Sequence, residues 1–238
     1  MNRKDELLLK LSIFLADWTI SIKEHVDEIF LIRQELNQIC TDEEVLSLTN
    51  KLKDRVQIEA RAELIYNNYK GAILMASGSG KSKVVIDIIT LLLNDIHDKG
   101  NDTCHILLVT PTERLRDVGW KDEFTKWNNS DDYDKLDREC YVALHNIKGK
   151  HYDLVILDEL HNITENNAEF FENNEVDRII ALTATKPRDE SKIAILKRLN
   201  IFPVYILTLD EGTKLGIIAD YDITIVTCEL DSSNPYIE

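Results

Sequence analysis

The stretch Gly71-Ala72-Ile73-Leu74-Met75-Ala76-Ser77-Gly78-Ser79-Gly80-Lys81-Ser82 constrains this chain more than any other. It is an apolar run, a glycine-rich turn, and then Lys-Ser opening the helical run Val84 to Ile96. A short apolar run bounded by glycines reads as a buried strand, and the longer run behind the turn as a helix. Glycines let backbone amides close on phosphate oxygens, and a helix N-terminus adds partial positive charge. In that setting Lys81 reaches the terminal phosphates of a nucleotide, and the Ser82 hydroxyl binds magnesium. Ser77, Gly78, Ser79, Gly80, Lys81 and Ser82 are therefore the expected cradle for ATP with Mg2+.

A second element gives the loop a purpose. His151-Tyr152-Asp153-Leu154-Val155-Ile156-Leu157-Asp158-Glu159-Leu160-His161 is an apolar strand that ends in adjacent carboxylates. Charges belong there only at an exposed strand end. Asp158 is expected to hold the magnesium through its water shell, and Glu159 to orient and deprotonate an attacking water. An Asp-Glu pair at a strand end is common surface chemistry by itself; its place downstream of the phosphate loop is what carries weight.

The apolar runs Ala72 to Ala76, His105 to Thr110, Cys140 to Leu144, Leu154 to Leu157, Ile179 to Thr183 and Val204 to Leu207 alternate with helical patterns. That rhythm predicts an α/β domain, a parallel sheet covered by helices on both faces. Asn128 to Asp134 and Asn162 to Asn174 are polar enough to be expected as loops. Upstream, Leu8, Leu15, Ile22, Ile29 and Leu36 share one heptad position and Leu11, Trp18, Ile32 and Ile39 the other. This is an α-helical N-terminal segment: either a bent helix or hairpin packed on the core, or a coiled-coil arm for a protein partner or self-association. The β-branched run Thr19 to Ile22 favours a break, and Thr41-Asp42-Glu43-Glu44 reads as a capping box that opens a further helix. The expected division is residues 1–54 as the helical segment and 55–238 as the nucleotide-binding domain.

With 43 acidic against 28 basic residues and a formal charge of -15, the chain is no general nucleic-acid coat. A motor that grips a strand transiently needs only a few placed donors. No apolar run is long enough for a membrane span, and the N-terminus lacks the pattern of a signal peptide, so no membrane partner and an intracellular location (cytoplasmic, or host cytoplasm if viral) are expected. Cys40, Cys104, Cys140 and Cys228 form no Cys-x-x-Cys pair and read as reduced packing residues.

Met75-Ala76-Ser77-Gly78-Ser79-Gly80-Lys81-Ser82 departs from the general phosphate-loop pattern at Met75, and resembles the relaxed loop of superfamily 2 helicases and translocases. Asp158-Glu159-Leu160-His161 matches that group's Asp-Glu-x-His box. The resemblance implies a RecA-like first lobe with His161 near the coupling element. It identifies Thr183-Ala184-Thr185 with the motif that couples nucleotide state to strand grip, and Leu107 to Thr112 with a strand-contacting motif that includes Thr110, Pro111 and Thr112. Gln57-Ile58-Glu59-Ala60 is similar to the Gln-x-x-Ala element that reads adenine, and Leu215 to Tyr221 to the stretch before the linker in type III restriction and repair translocases. The likeness spans Gln57 to Val226.

From this resemblance follow an ATPase driven by nucleic acid, with DNA favoured over RNA, and a second RecA-like lobe, in the same or another chain, supplying the arginine fingers absent here. Two other functions are kept open: a viral DNA-packaging type of phosphate-loop motor, and a catalytically idle nucleotide-binding interaction module. His161 and Thr183-Ala184-Thr185 favour the helicase over packaging, and the intact Lys81, Ser82, Asp158 and Glu159 argue against idleness.

Overall fold

The computed structural model describes residues 2–98 and 104–221. Cys228 and the end of the resembling stretch at Val226 lie outside these residues. The chain opens with helix α1 (Arg3–Ala16), whose first turn is closed by the Asn2 side chain accepting from the Asp5 amide at 2.9 Å. The heptad stripe does not continue as one rod. Asp17 bonds the Thr19 amide and hydroxyl at 2.9 and 2.7 Å, the chain turns, and α2 (Val26–Ile39) packs back against α1. The break lets Leu11, Ile22, Ile29, Ile32 and Leu36 all face one core while Trp18 and Ile39 stay exposed. The Thr41 box forms as expected: its hydroxyl accepts from the Glu44 amide at 3.3 Å, and the Glu44 carboxylate accepts from the Thr41 amide at 2.9 Å. From it α3 (Asp42–Tyr66) runs unbroken through residue 54.

The rest alternates. In chain order come β1 (Gly71–Met75), α4 (Lys81–Asp98), β2 (Ile106–Thr110), α5 (Trp120–Lys126), α6 (Ser130–Asp134), β3 (Asp137–Cys140), β4 (His151–Tyr152), β5 (Leu154–Leu157), α7 (Glu165–Asn173), β6 (Glu175–Val176), β7 (Ile179–Thr183), α8 (Glu190–Arg198), β8 (Pro203–Leu207) and α9 (Leu209–Lys214). Six of the strands form a parallel sheet in the order β3-β2-β5-β7-β1-β8, and β4 pairs with β6 in a separate ribbon. β7 therefore stands between the strand that enters the glycine turn and the strand that ends in Asp158. Alternate side chains feed two cores: Ile73 and Met75 join the N-terminal helices and α4, while Ala72 and Leu74 join Phe170 and Ile195 on the other face. The α/β layering expected from the sequence, a parallel sheet with a packed core on each face, is present. No described helix is long and apolar enough to cross a membrane.

Three local expectations are corrected. The run Cys140 to Leu144 is not a strand: β3 ends at Cys140, and Tyr141–Asn146 winds as a 3-10 turn. β3 is an edge strand paired on one side only, so it tolerates Asp137, Arg138 and Glu139, while the 3-10 turn buries Tyr141 and Leu144. The polar stretch Asn162 to Asn174 holds α7. The Asn167 carbonyl oxygen caps it by accepting from the Thr164 amide at 2.9 Å, and the Asn167 amide donates to the Tyr141 carbonyl at 2.6 Å, so both ends of a buried side-chain amide have partners. Within Asn128 to Asp134 the short α6 forms and buries Tyr133.

Candidate active site

The turn between β1 and α4 is shaped by Gly78 and Gly80, at φ +85° and +96°, which side-chain-bearing residues rarely adopt. Its carbonyls are held from below. Gln57 of α3 donates to Ser79 O at 3.1 Å, Lys53 donates to Gly78 O at 2.8 Å, and the Ser79 hydroxyl donates to Ala76 O at 2.6 Å. Ser79 is thus a buried brace for the turn, and its hydroxyl does not face the cleft. The space in front of Gly78, where a Cβ would stand, is clear for 4 Å.

Lys81 and Ser82 open α4 beside this turn. The Lys81 amine donates to Met75 O at 2.9 Å; burial lowers its pKa, and Glu159 and Asp158 oppose the shift. At the end of β5, the Asp158 amide donates to Val109 O at 2.9 Å and its carbonyl accepts from the Tyr141 hydroxyl at 3.0 Å. Its carboxylate accepts from the Trp120 indole at 2.8 Å. Burial raises the Asp158 pKa, with Glu159 adding to the rise and Trp120 and Lys81 opposing it. Glu159 sits in the left-handed region at φ 49°, ψ 62°. A non-glycine residue there costs of order 1–3 kcal/mol, and such strain clusters at functional positions. The Glu159 carboxylate lies 3.4 Å from His161 Nδ1, and His161 itself is half exposed.

Gln57, Ser77, Gly78, Gly80, Lys81, Ser82, Asp158 and Glu159 line one cleft of about 780 Å³, which brings together residues far apart in sequence. Ser79 and His161 are not part of its wall. Ser82, Asp158 and Glu159 offer oxygen donors only, the set that suits magnesium. The two threonine motifs close on themselves at strand ends. Thr110 donates to Thr112 O at 3.1 Å and Thr183 to Thr185 O at 2.9 Å; both hydroxyls are buried, while Thr112 and Thr185 are exposed. Gln57 is buried, with one amide hydrogen engaged on the turn.

Sequence reasoning passed over Lys53, Trp120, Trp127 and Tyr141. Lys53 lies one helical turn before Gln57 on the same face of α3, a spacing that would have found it. Nothing local pairs Trp120 or Tyr141 with Asp158.

Residues 43–141 match the family model of the type III restriction enzyme, res subunit. The match takes in Gln57, the glycine turn, Thr110 to Thr112 and Trp120, and stops before Asp158. No curated protein matches the chain. Among solved structures it is similar to the SWI2/SNF2 ATPase core of Sulfolobus solfataricus in complex with dsDNA, at 18% identity and TM-score 0.42, over 57% of this chain and 32% of that one. It is also similar to a nuclease-deletion mutant of the Type ISP restriction-modification enzyme LlaGI in complex with a DNA substrate mimic, at 16% identity and TM-score 0.49, over 68% and 20%. A third is the helicase domain of Pyrococcus furiosus Hef, at 15% identity and TM-score 0.44, over 63% and 36%. The chain thus spans between 20% and 36% of the length of these structures.

Proposed function

We propose that this chain, which resembles the first lobe of superfamily 2 helicases and translocases and matches the restriction-subunit family over residues 43–141, binds Mg-ATP and serves a motor that acts on nucleic acid. The observation that carries the reading is the convergence of Lys81 and Ser82 with Asp158 and Glu159 in a single cleft, at the ends of parallel strands where ligands of such sheets bind.

Each residue then has a task. The turn amides and the start of α4 cradle the phosphates, and Lys81 leaves Met75 O for the terminal ones. Ser82 and Asp158 hold magnesium, which supplies charge neutralisation on the phosphate oxygens. Glu159, held out of regular geometry, orients the attacking water and takes its proton. Gln57 serves the adenine end with the amide capacity that Ser79 leaves free. Pro111, Thr112 and Thr185 meet the nucleic-acid strand, while Thr110 and Thr183 hold their turns. His161 bridges Glu159 and the threonine motif.

The division into a helical segment (1–54) and a nucleotide domain (55–238) is one of roles, because α3 crosses residue 54 without a break. A second lobe completes the site with arginine fingers, which contribute on the order of 10³ to 10⁵ in rate in related phosphate-loop enzymes.

The test is ATP turnover with and without single- and double-stranded DNA and RNA, with Lys81→Ala and Glu159→Gln as controls. Binding of Mg-ATP, with turnover that is slow alone and is raised by nucleic acid once a second lobe is supplied, is the expected result. A chain whose melting temperature ignores saturating Mg-ATP would instead be an idle module.

A further inference from the structure

We propose that Trp120 is a positioning residue, whose indole sets the Asp158 carboxylate for the metal ion of a bound nucleotide. This rests on the nucleotide-site reading above. Asp158 is already fixed at its backbone, through Val109 O and the Tyr141 hydroxyl. What remains free is rotation of the carboxylate. The Trp120 Nε1–H, a donor that cannot accept, holds Oδ2 at 2.8 Å, and the other oxygen is placed with it.

The donor is itself rigid. Trp120 is 3% exposed, opens α5, and packs against Phe124 with ring centroids 6.3 Å apart. It follows a π turn, Leu115–Gly119, in which the Trp120 amide reaches back to Leu115 O. Such turns are frequent at functional sites. A tryptophan that needed only a partner for a buried N–H would be served by any carbonyl; this one takes an ionisable side chain that lines the cleft beside Lys81.

Partners that orient a metal ligand typically change metal affinity by 10- to 100-fold when removed. The experiment titrates Mn2+ into the full chain with a non-hydrolysable ATP analogue and reads free Mn2+ by electron paramagnetic resonance. Trp120→Phe should weaken the nucleotide-dependent Mn2+ site by roughly 10- to 100-fold while metal-free nucleotide affinity stays near the wild type. Asp158→Ala should abolish the site, and Trp18→Phe should leave it intact. Wild-type affinity in Trp120→Phe overturns the proposal. Absence of nucleotide-dependent Mn2+ binding in the wild type overturns the nucleotide reading, and this one with it.

A second measurement does not depend on Trp120→Phe folding. In the ¹⁵N-labelled wild type, Mg2+ with the analogue should shift the Trp120 indole resonance and leave that of Trp18 in place. Asp158→Ala should speed exchange of the same proton. An indole signal blind to the metal, in a chain that binds the metal, overturns the proposal.

Discussion

Gln57 donates its side-chain amide to the carbonyl of Ser79 at 3.1 Å, so the glycine turn rests on a helix that belongs in part to the N-terminal segment. A Cβ on Gly80 would collide with that amide, whereas a Cβ on Gly78 would meet nothing within 4 Å. Both glycines have positive φ, so both alanine variants carry backbone strain of order 1–3 kcal/mol. Gly80→Ala should be the worse, and Gln57→Ala should relieve its collision without relieving its strain. Thermal denaturation of the single and double variants reads this directly, at about 2–4 °C per kcal/mol for a chain of this size. Equal losses at Gly78 and Gly80 would show that the amide can move aside.

Asp158 and Glu159 are held at the expense of stability. Asp158→Asn keeps an oxygen for Trp120 and removes a charge that burial disfavours; Glu159→Asn places at a left-handed position a residue that tolerates it. Each should raise the melting temperature of the nucleotide-free chain by a few degrees, on the order of 1 kcal/mol. The sign with pH follows from the raised Asp158 pKa. Its contribution to stability is greatest below the ordinary carboxylate range and is lost as pH rises through the folded value. The gain from Asp158→Asn should therefore be present at neutral pH and vanish in acid; an equal gain at every pH would point to some cause other than charge.

Cys104 offers a separate pH test. Burial, with Asp153 nearby, pushes its thiol up to about 11. Alkylation by iodoacetamide, followed by mass spectrometry of the Cys104 peptide, should be slow at pH 8 and rise only as pH approaches that value. The protonated thiol is the form that folding favours. Its contribution to stability is complete below the unfolded thiol's pKa and is lost as pH climbs through the folded one.

Leu11 is completely buried and shares a core with Ile73, Met75 and Val84. Leu11→Ala should cost about 2–5 kcal/mol, and should lower one cooperative unfolding transition by heat or urea. An independent arm would instead lose its own helical signal and leave the sheet's transition where it was.

What could be read from the sequence was what local pattern decides. β1, β2, β5 and β7 were legible because interior strands of a parallel sheet are apolar throughout, β8 because its run Val204 to Leu207 is apolar even at the sheet's edge, and the Thr41 box because its chemistry is complete within a few residues. β3 was misplaced because an edge strand carries charges and the apolar residues after it belong to a 3-10 turn. α7 was missed because asparagines read as loop; only tertiary contact makes Asn167 both a cap and a buried donor. In the cleft, Lys81, Ser82, Asp158 and Glu159 carried their own motifs, whereas Trp120 and Tyr141 reach Asp158 only once the chain is folded.

The π turn at Leu115–Gly119 has a mechanical meaning. Its wider winding keeps one residue of slack between exposed Thr112 and the Trp120 indole. Drawing that residue into α-helical register would rotate everything beyond it by about 100° and shift it by roughly 1.5 Å. That is enough to part the indole from Asp158. If a strand docks at Thr112 as proposed, the slack is a clutch: a small pull there would engage or free the Asp158 carboxylate at the end of the neighbouring strand, with no need to move β2 against β5.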